Sequence, residues 1–137
     1  MECNLNGGVL IIGSLYWQDH LDKEGDNIRK DWRKQRLDKE SSFDIPVPIR
    51  YGRFSRDKSY TMVFDSSLSN DKYGIGKFTP FQRATRNWED LKEEVHLLSL
   101  AEGMGGDFIA GKAAWAACGM LLNPKIEKQL KVSLLSK

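Results

Sequence analysis

Hydrophobic and polar positions along this chain follow two periods, and each change of period marks an element. Val9, Leu10, Ile11 and Ile12 form an unbroken β-branched and leucine run, the pattern of a strand covered on both faces. The run stops at Gly13 and Ser14, a turn signal. Residues 26–37 are highly charged, with Ile28 and Trp32 one turn apart, which predicts a short helix capped by Asp26. Residues 45–51 are β-rich, but Pro46 and Pro48 cannot donate ladder hydrogen bonds, so this segment reads as an edge strand. Residues 60–64 read as a strand ending in a Ser, Asn and Asp-rich loop. Residues 73–78 read as a glycine-containing strand closed by Thr79 and Pro80.

The strongest helical pattern covers residues 88–102. Asn87 is its cap, with Asp90 three residues on, and Gly103 is its terminator. Trp88, Leu91, Val95 and Leu98 make its apolar stripe. Residues 113–122 are a further apolar run, read as a buried strand. Asn123 and Pro124 then open a terminal helix with Ile126, Leu130 and Leu134 on one face. Strands scattered among helices, with a hairpin-like region over residues 45–78, predict an α+β fold on a small mixed β-sheet. Segments 9–12, 60–64 and 73–78 are expected in one sheet, with helix 88–102 packed on it. A chain of 137 residues suits one domain over residues 1–137.

Composition changes this picture little. Apolar residues at 40% and charged residues at 29% suit a globular domain, and a net charge of +2 selects no partner. Two cysteines, Cys3 and Cys118, make no disulfide framework, which favours reduced thiols and a cytoplasmic setting. The apolar segment near the N-terminus has Glu2 where a signal peptide needs basic residues. At about ten residues it is also too short to span a bilayer, so no membrane is expected. Residues 106–113 approach a phosphate-binding loop, but Ala113 stands where its hydroxyl residue belongs and no strand precedes it. His20 and His96 are distant from each other and from both cysteines, so no metal site is expected. Cys118, in an apolar run, reads as a buried, inert thiol.

Three features could carry chemistry. At about 100° per residue, the stripe of helix 88–102 covers an arc of roughly 80°, and Glu102 projects into its middle. Partial burial and the C-terminal helix dipole both oppose its charge, as a general base or acid near neutral pH requires. The alternative is that the helix frays at Gly103 and Glu102 turns to water or pairs with an arginine. Second, Gly13, Ser14 and Leu15 follow a strand, where backbone N–H groups can hold a carboxylate or an oxyanion. Third, residues 29–58 are rich in Arg and Lys with Trp32, Tyr51 and Phe54 interleaved. This is either a surface for an acidic ligand or nucleic acid, or a solvated helix face with arginines lying over the sheet.

The segment Ile11-Ile12-Gly13-Ser14-Leu15-Tyr16-Trp17 resembles the Tyr-Gly-Ser-Leu-x-Trp signature of the gamma-glutamylcyclotransferase-like family, especially its ChaC-type branch. Leu98-Ser-Leu-Ala-Glu102-Gly103 is similar to the segment that holds that family's catalytic glutamate. Ile12 stands in place of the family tyrosine, and Ser99 in place of the aspartate that commonly precedes the glutamate. The resemblance implies a small β-barrel-like domain with flanking helices, AIG2-like in architecture, and a small-molecule gamma-glutamyl compound as substrate. It implies catalysis by Glu102, substrate binding at Gly13, Ser14 and Leu15, and no cofactor or metal. Arg50 or Arg53 would hold a substrate carboxylate at the mouth of the cavity. A noncatalytic binding domain of the same fold, using the basic surface of residues 29–58, is the alternative.

Overall fold

Pro48 divides the β-rich stretch of residues 45–51 between two sheets in the computed structural model, which describes residues 6–19, 27–54, 58–103 and 123. Having no N–H to give, proline ends one ladder and lets the chain leave for another. Before it, β2 (Phe43–Val47) pairs antiparallel with β5 (Gly74–Pro80). After it, β3 (Ile49–Phe54) pairs antiparallel with β4 (Tyr60–Phe64). β1 (Gly8–Ile11) lies on the other side of β5, giving a three-stranded sheet in the order β1-β5-β2 beside a two-stranded one. β2 is therefore an edge strand, as Pro46 within it requires.

The fold class is α+β, with two helices among the described residues: α1 (Ile28–Arg36) and α2 (Trp88–Ala101). Two expectations need correction. Segment 60–64 does not share a sheet with 9–12 and 73–78, because Pro48 and the β3–β4 pairing take it into the second sheet. The described strands are antiparallel rather than mixed, and they close no barrel. The expected strand over 113–122 and the helix beginning at Pro124 lie outside the described residues, as do Cys3, His20, Asp26, Arg56, Cys118 and the near-motif at 106–113. No helix among the described residues is long and apolar enough to cross a membrane.

The core lies where β1, a 3-10 turn at Ser14–Tyr16 and the two helices meet. Ile11, Leu15, Trp32, Leu37 and Ala101 are its buried residues, with Val9, Tyr16, Phe81, Leu97 and Leu98 packed against them. Helix α1 starts at Asn27, whose side chain accepts from the Lys30 N–H at 3.1 Å. Asp31 in its first turn and Arg33, Lys34 and Arg36 in its last suit the helix dipole. Its C-terminal carbonyls are met by Gln82. The Gln82 amide donates to Lys34 O and Leu37 O, and its backbone N–H to Arg36 O.

Helix α2 begins as its sequence dictates. Asn87 Oδ1 accepts from the Asp90 N–H at 3.0 Å, and Asp90 Oδ2 accepts from the Arg86 N–H at 2.7 Å. Gly103, at φ 74°, follows its end in the left-handed conformation that glycine adopts without strain. The face turned to the core overlaps the expected one in part: Leu98 packs there with Leu97 and Ala101, Glu94 beside them is buried, and Leu91 and Val95 are half-buried outside that cluster. The Trp88 side chain lies outside the described residues. Glu94 is tolerated inside because Arg36 of α1 meets its carboxylate there.

On the second sheet, Tyr51 faces Met62, and Phe54 faces Tyr60 edge-on, with a bulge between Tyr51 and Arg53. Arg50 Nε donates to Asp65 Oδ2 at 2.5 Å, while Ser67 donates to Asp65 Oδ1 from its hydroxyl at 2.6 Å and its N–H at 3.0 Å. The Ser67 hydrogen bonds, then Arg50, hold the Asp65 carboxyl at about 2, below its ordinary 3.8. A carboxyl lowered on folding stabilises the fold above its unfolded value, and that contribution fades as pH falls through about 2. A side-chain NMR titration should therefore find Asp65 still ionised at pH 3. A midpoint near 3.8 would show that the Asp65–Ser67–Arg50 cluster does not persist in solution.

Candidate functional site

One face of α1 organises the site. Arg29, Arg33 and Arg36 recur at four- and three-residue spacing with Trp32 among them, so all four project to the same side. Each arginine grips a different backbone or carboxylate. Arg29 Nε donates to Ala101 O at 3.0 Å and its Nη2 to Glu102 Oε2 at 3.1 Å. Buried Arg33 donates from Nη1 to Leu15 O at 2.8 Å and to Gln18 O at 3.0 Å, and pairs through Nη2 with Asp19. Arg36 Nη2 reaches Glu94 Oε1 at 2.5 Å and Glu93 Oε1 at 3.2 Å. Glu94 holds the Arg36 guanidinium pKa above its ordinary value, chiefly by hydrogen bonding.

These three arginines belonged to the expected basic surface, and they are engaged within the domain instead. Lys39 lies over the Tyr16 ring at 4.6 Å, and Arg50 is paired with Asp65. Of the same stretch, Lys30, Lys34, Arg53 and Lys58 are exposed. A guanidinium has a flat fork of five donors and is weakly hydrated, so it suits buried carbonyls and carboxylates. The lysines, strongly hydrated point charges, stay outside.

The two segments singled out in the sequence converge on this face. Leu15 and Ala101 share the buried cluster, and Arg33 and Arg29, one turn apart on α1, tie down their carbonyls. Glu102 is the C-cap of α2 in right-handed helical geometry, with its N–H donating to Leu98 O at 3.0 Å. Helix α2 does not fray before it. Glu102 is paired with an arginine, one of the alternatives open from sequence, and 27% of its side chain is exposed against 15% for Arg29. Arg29 also answers the helix dipole, since a cation at the last carbonyl suits its negative end.

Gly13 precedes the 3-10 turn in extended geometry without a side-chain cap. The N–H groups that open such a turn have no partner inside it. A methyl group at Gly13 would meet nothing within 4 Å among the described residues, so they leave the space beside this backbone open. Trp32, in the cluster with Leu15 and Ala101, carries a buried Nε1–H that has no hydrogen-bond partner among the described residues. An unpaired buried donor is rare in folded proteins and marks a place that calls for an acceptor.

Arg50 and Arg53 are not part of this gathering. They lie on exposed positions of β3 in the second sheet. A shallow cavity of about 160 Å³ beside Arg50 is lined by Ile49, Tyr51, Met62, Gly74 and Ile75, away from Glu102. The arginine beside Glu102 is Arg29, which the sequence offered either for a basic binding surface or for a solvated helix face. Its signal was present in the spacing: Arg29, Arg33 and Arg36 repeat in phase with buried Trp32, whereas Lys30 and Lys34 do not. The chain matches no protein-family model, no curated protein and no solved structure.

Proposed function

We propose that this domain is a cyclotransferase that releases 5-oxoproline from gamma-glutamyl amides in a cytoplasmic setting, with Glu102 as general base. The observation that carries the reading is the arrangement on α1, where Arg33 holds the Gly13–Leu15 turn and Arg29 holds the Glu102 end of α2. Two segments 87 residues apart in sequence, at Leu15 and Glu102, are the two that resemble the family's binding loop and catalytic glutamate.

In this mechanism the substrate's α-amine attacks its own γ-carbonyl carbon. A ring C–N bond forms, the γ-amide C–N bond breaks, and the products are 5-oxoproline and the released amine. Glu102 takes the proton from the attacking nitrogen and returns it to the leaving nitrogen, so no proton is gained or lost overall. N–H groups of the turn at Ser14 and Leu15 face the oxyanion that develops on the γ-carbonyl. Because nucleophile and electrophile belong to one molecule, the protein has only to fold the substrate and move one proton.

The test is release of 5-oxoproline from a panel of gamma-glutamyl dipeptides and gamma-glutamyl amines. Gly13→Ala sharpens it. The backbone at Gly13 suits alanine and the added methyl meets no atom of the described residues, so this variant should be as stable as the parent or gain about 0.4–1 kcal/mol. The same methyl fills the space through which a substrate approaches the turn. It should lower kcat/KM by roughly tenfold or more, equivalent to about 1.4 kcal/mol or more of lost transition-state binding. Unchanged kcat/KM would place the substrate elsewhere.

A further inference from the structure

We infer that Arg29 and Glu102 together form the receptor for a free α-amino-acid head group, Arg29 taking the α-carboxylate and Glu102 the α-ammonium. The inference rests on Glu102 facing the substrate, as proposed above, and it adds the group that recognises the substrate's other charge. The Arg29–Glu102 pair sets a cation beside an anion at a partly exposed position at the end of α2. An amino-acid head group sets an ammonium beside a carboxylate on one carbon, the complementary arrangement of charge.

Arg29 is built to receive such a ligand. Its Nε–H is fixed on Ala101 O, which holds the guanidinium plane, and one N–H of Nη2 is on Glu102. Two of its five donors are thus engaged, and Nη1 has no partner among the described residues. A ligand carboxylate meets that edge as Glu102 turns from the guanidinium to the ligand's ammonium. Both protein charges keep a counter-charge throughout, so the exchange leaves no ion bare. The same exchange brings Glu102 to the nitrogen whose proton it must accept. In the absence of ligand, Arg29 holds the base in place.

L-glutamate, glutarate and 4-aminobutanoate separate these contacts. Glutarate lacks the ammonium, 4-aminobutanoate lacks the α-carboxylate, and none carries an amide to cleave, so binding is read without turnover. Titration followed by amide NMR should show L-glutamate binding at least about tenfold more tightly than either analogue. Arg29→Gln should weaken L-glutamate about tenfold and leave 4-aminobutanoate within about twofold. Glu102→Gln, which frees Arg29 from its internal anion, should tighten glutarate several-fold. Misfolding cannot produce opposite shifts for different ligands, and Glu102→Gln with the three ligands remains a full test if Arg29→Gln does not fold. The inference is overturned if no ligand binds, if the parent protein treats all three alike, or if Arg29→Gln weakens L-glutamate and 4-aminobutanoate equally. The head-group pattern without 5-oxoproline release sinks the enzyme reading alone. Release of 5-oxoproline with KM unchanged in Arg29→Gln sinks this inference alone.

Discussion

Glu102→Gln is expected to lower kcat for 5-oxoproline release by about 10²–10⁴-fold, the usual worth of a positioned general base. Glutamine keeps the length and shape of the side chain, and its Oε1 can still accept from Arg29 Nη2, now 3.1 Å from Glu102 Oε2. What it loses is the capacity to take a proton. Because the pair is partly exposed and Arg29 keeps its bond to Ala101 O, stability should change by no more than about 1 kcal/mol. The two measurements belong together: turnover assayed on the gamma-glutamyl panel, and stability from denaturant unfolding. Lost turnover with an intact fold assigns proton transfer to Glu102. Turnover that survives the substitution would move the proton to another group and end the role proposed for this glutamate.

The largest effect on stability is expected at the α1–α2 contact, and it is asymmetric. Glu94 is 5% exposed, Arg36 16% and Glu93 59%. Arg36→Met removes the guanidinium that meets both oxygens of Glu94 and leaves a buried carboxylate without its counter-charge, at a cost of about 3–5 kcal/mol. Glu94→Leu should cost less, because Arg36 keeps Glu93 and some access to water. The double variant Arg36→Met, Glu94→Leu should recover most of the loss, since a buried ion pair is often replaceable by packed apolar groups. Urea unfolding of the four proteins gives the coupling directly. If Arg36→Met costs no more than Glu94→Leu, the buried carboxylate is not what α1 is compensating.

Much of this was legible locally. The helix starting at Asn87, the terminator Gly103, the strand after Ser59 and the prolines that confine residues 45–51 to edges all follow from short-range chemistry: which backbone group lacks a donor, which φ a residue tolerates, which side chain can reach its own N–H groups. Gly13 before a turn and Glu102 at a helix end were likewise visible one element at a time.

Pairing and orientation were not. Whether segment 60–64 joined strand β5 or β3 depended on where Pro48 let the chain turn, and a strand's periodicity carries no address for its partner. The roles of the arginines were hidden for a related reason. A charged residue at a core-facing position reads as a violation of pattern until its counter-charge is known, and Arg36 and Glu94 are 58 residues apart. The sequence by itself therefore determined that helices lie near residues 28–36 and 88–101 and strands near 8–11, 60–64 and 74–80, while the division of residues 45–51 between two strands came from the fold. Only the tertiary structure decided that α1 turns three arginines inward, because burying an ion is settled by what meets it, and that partner comes from another part of the chain.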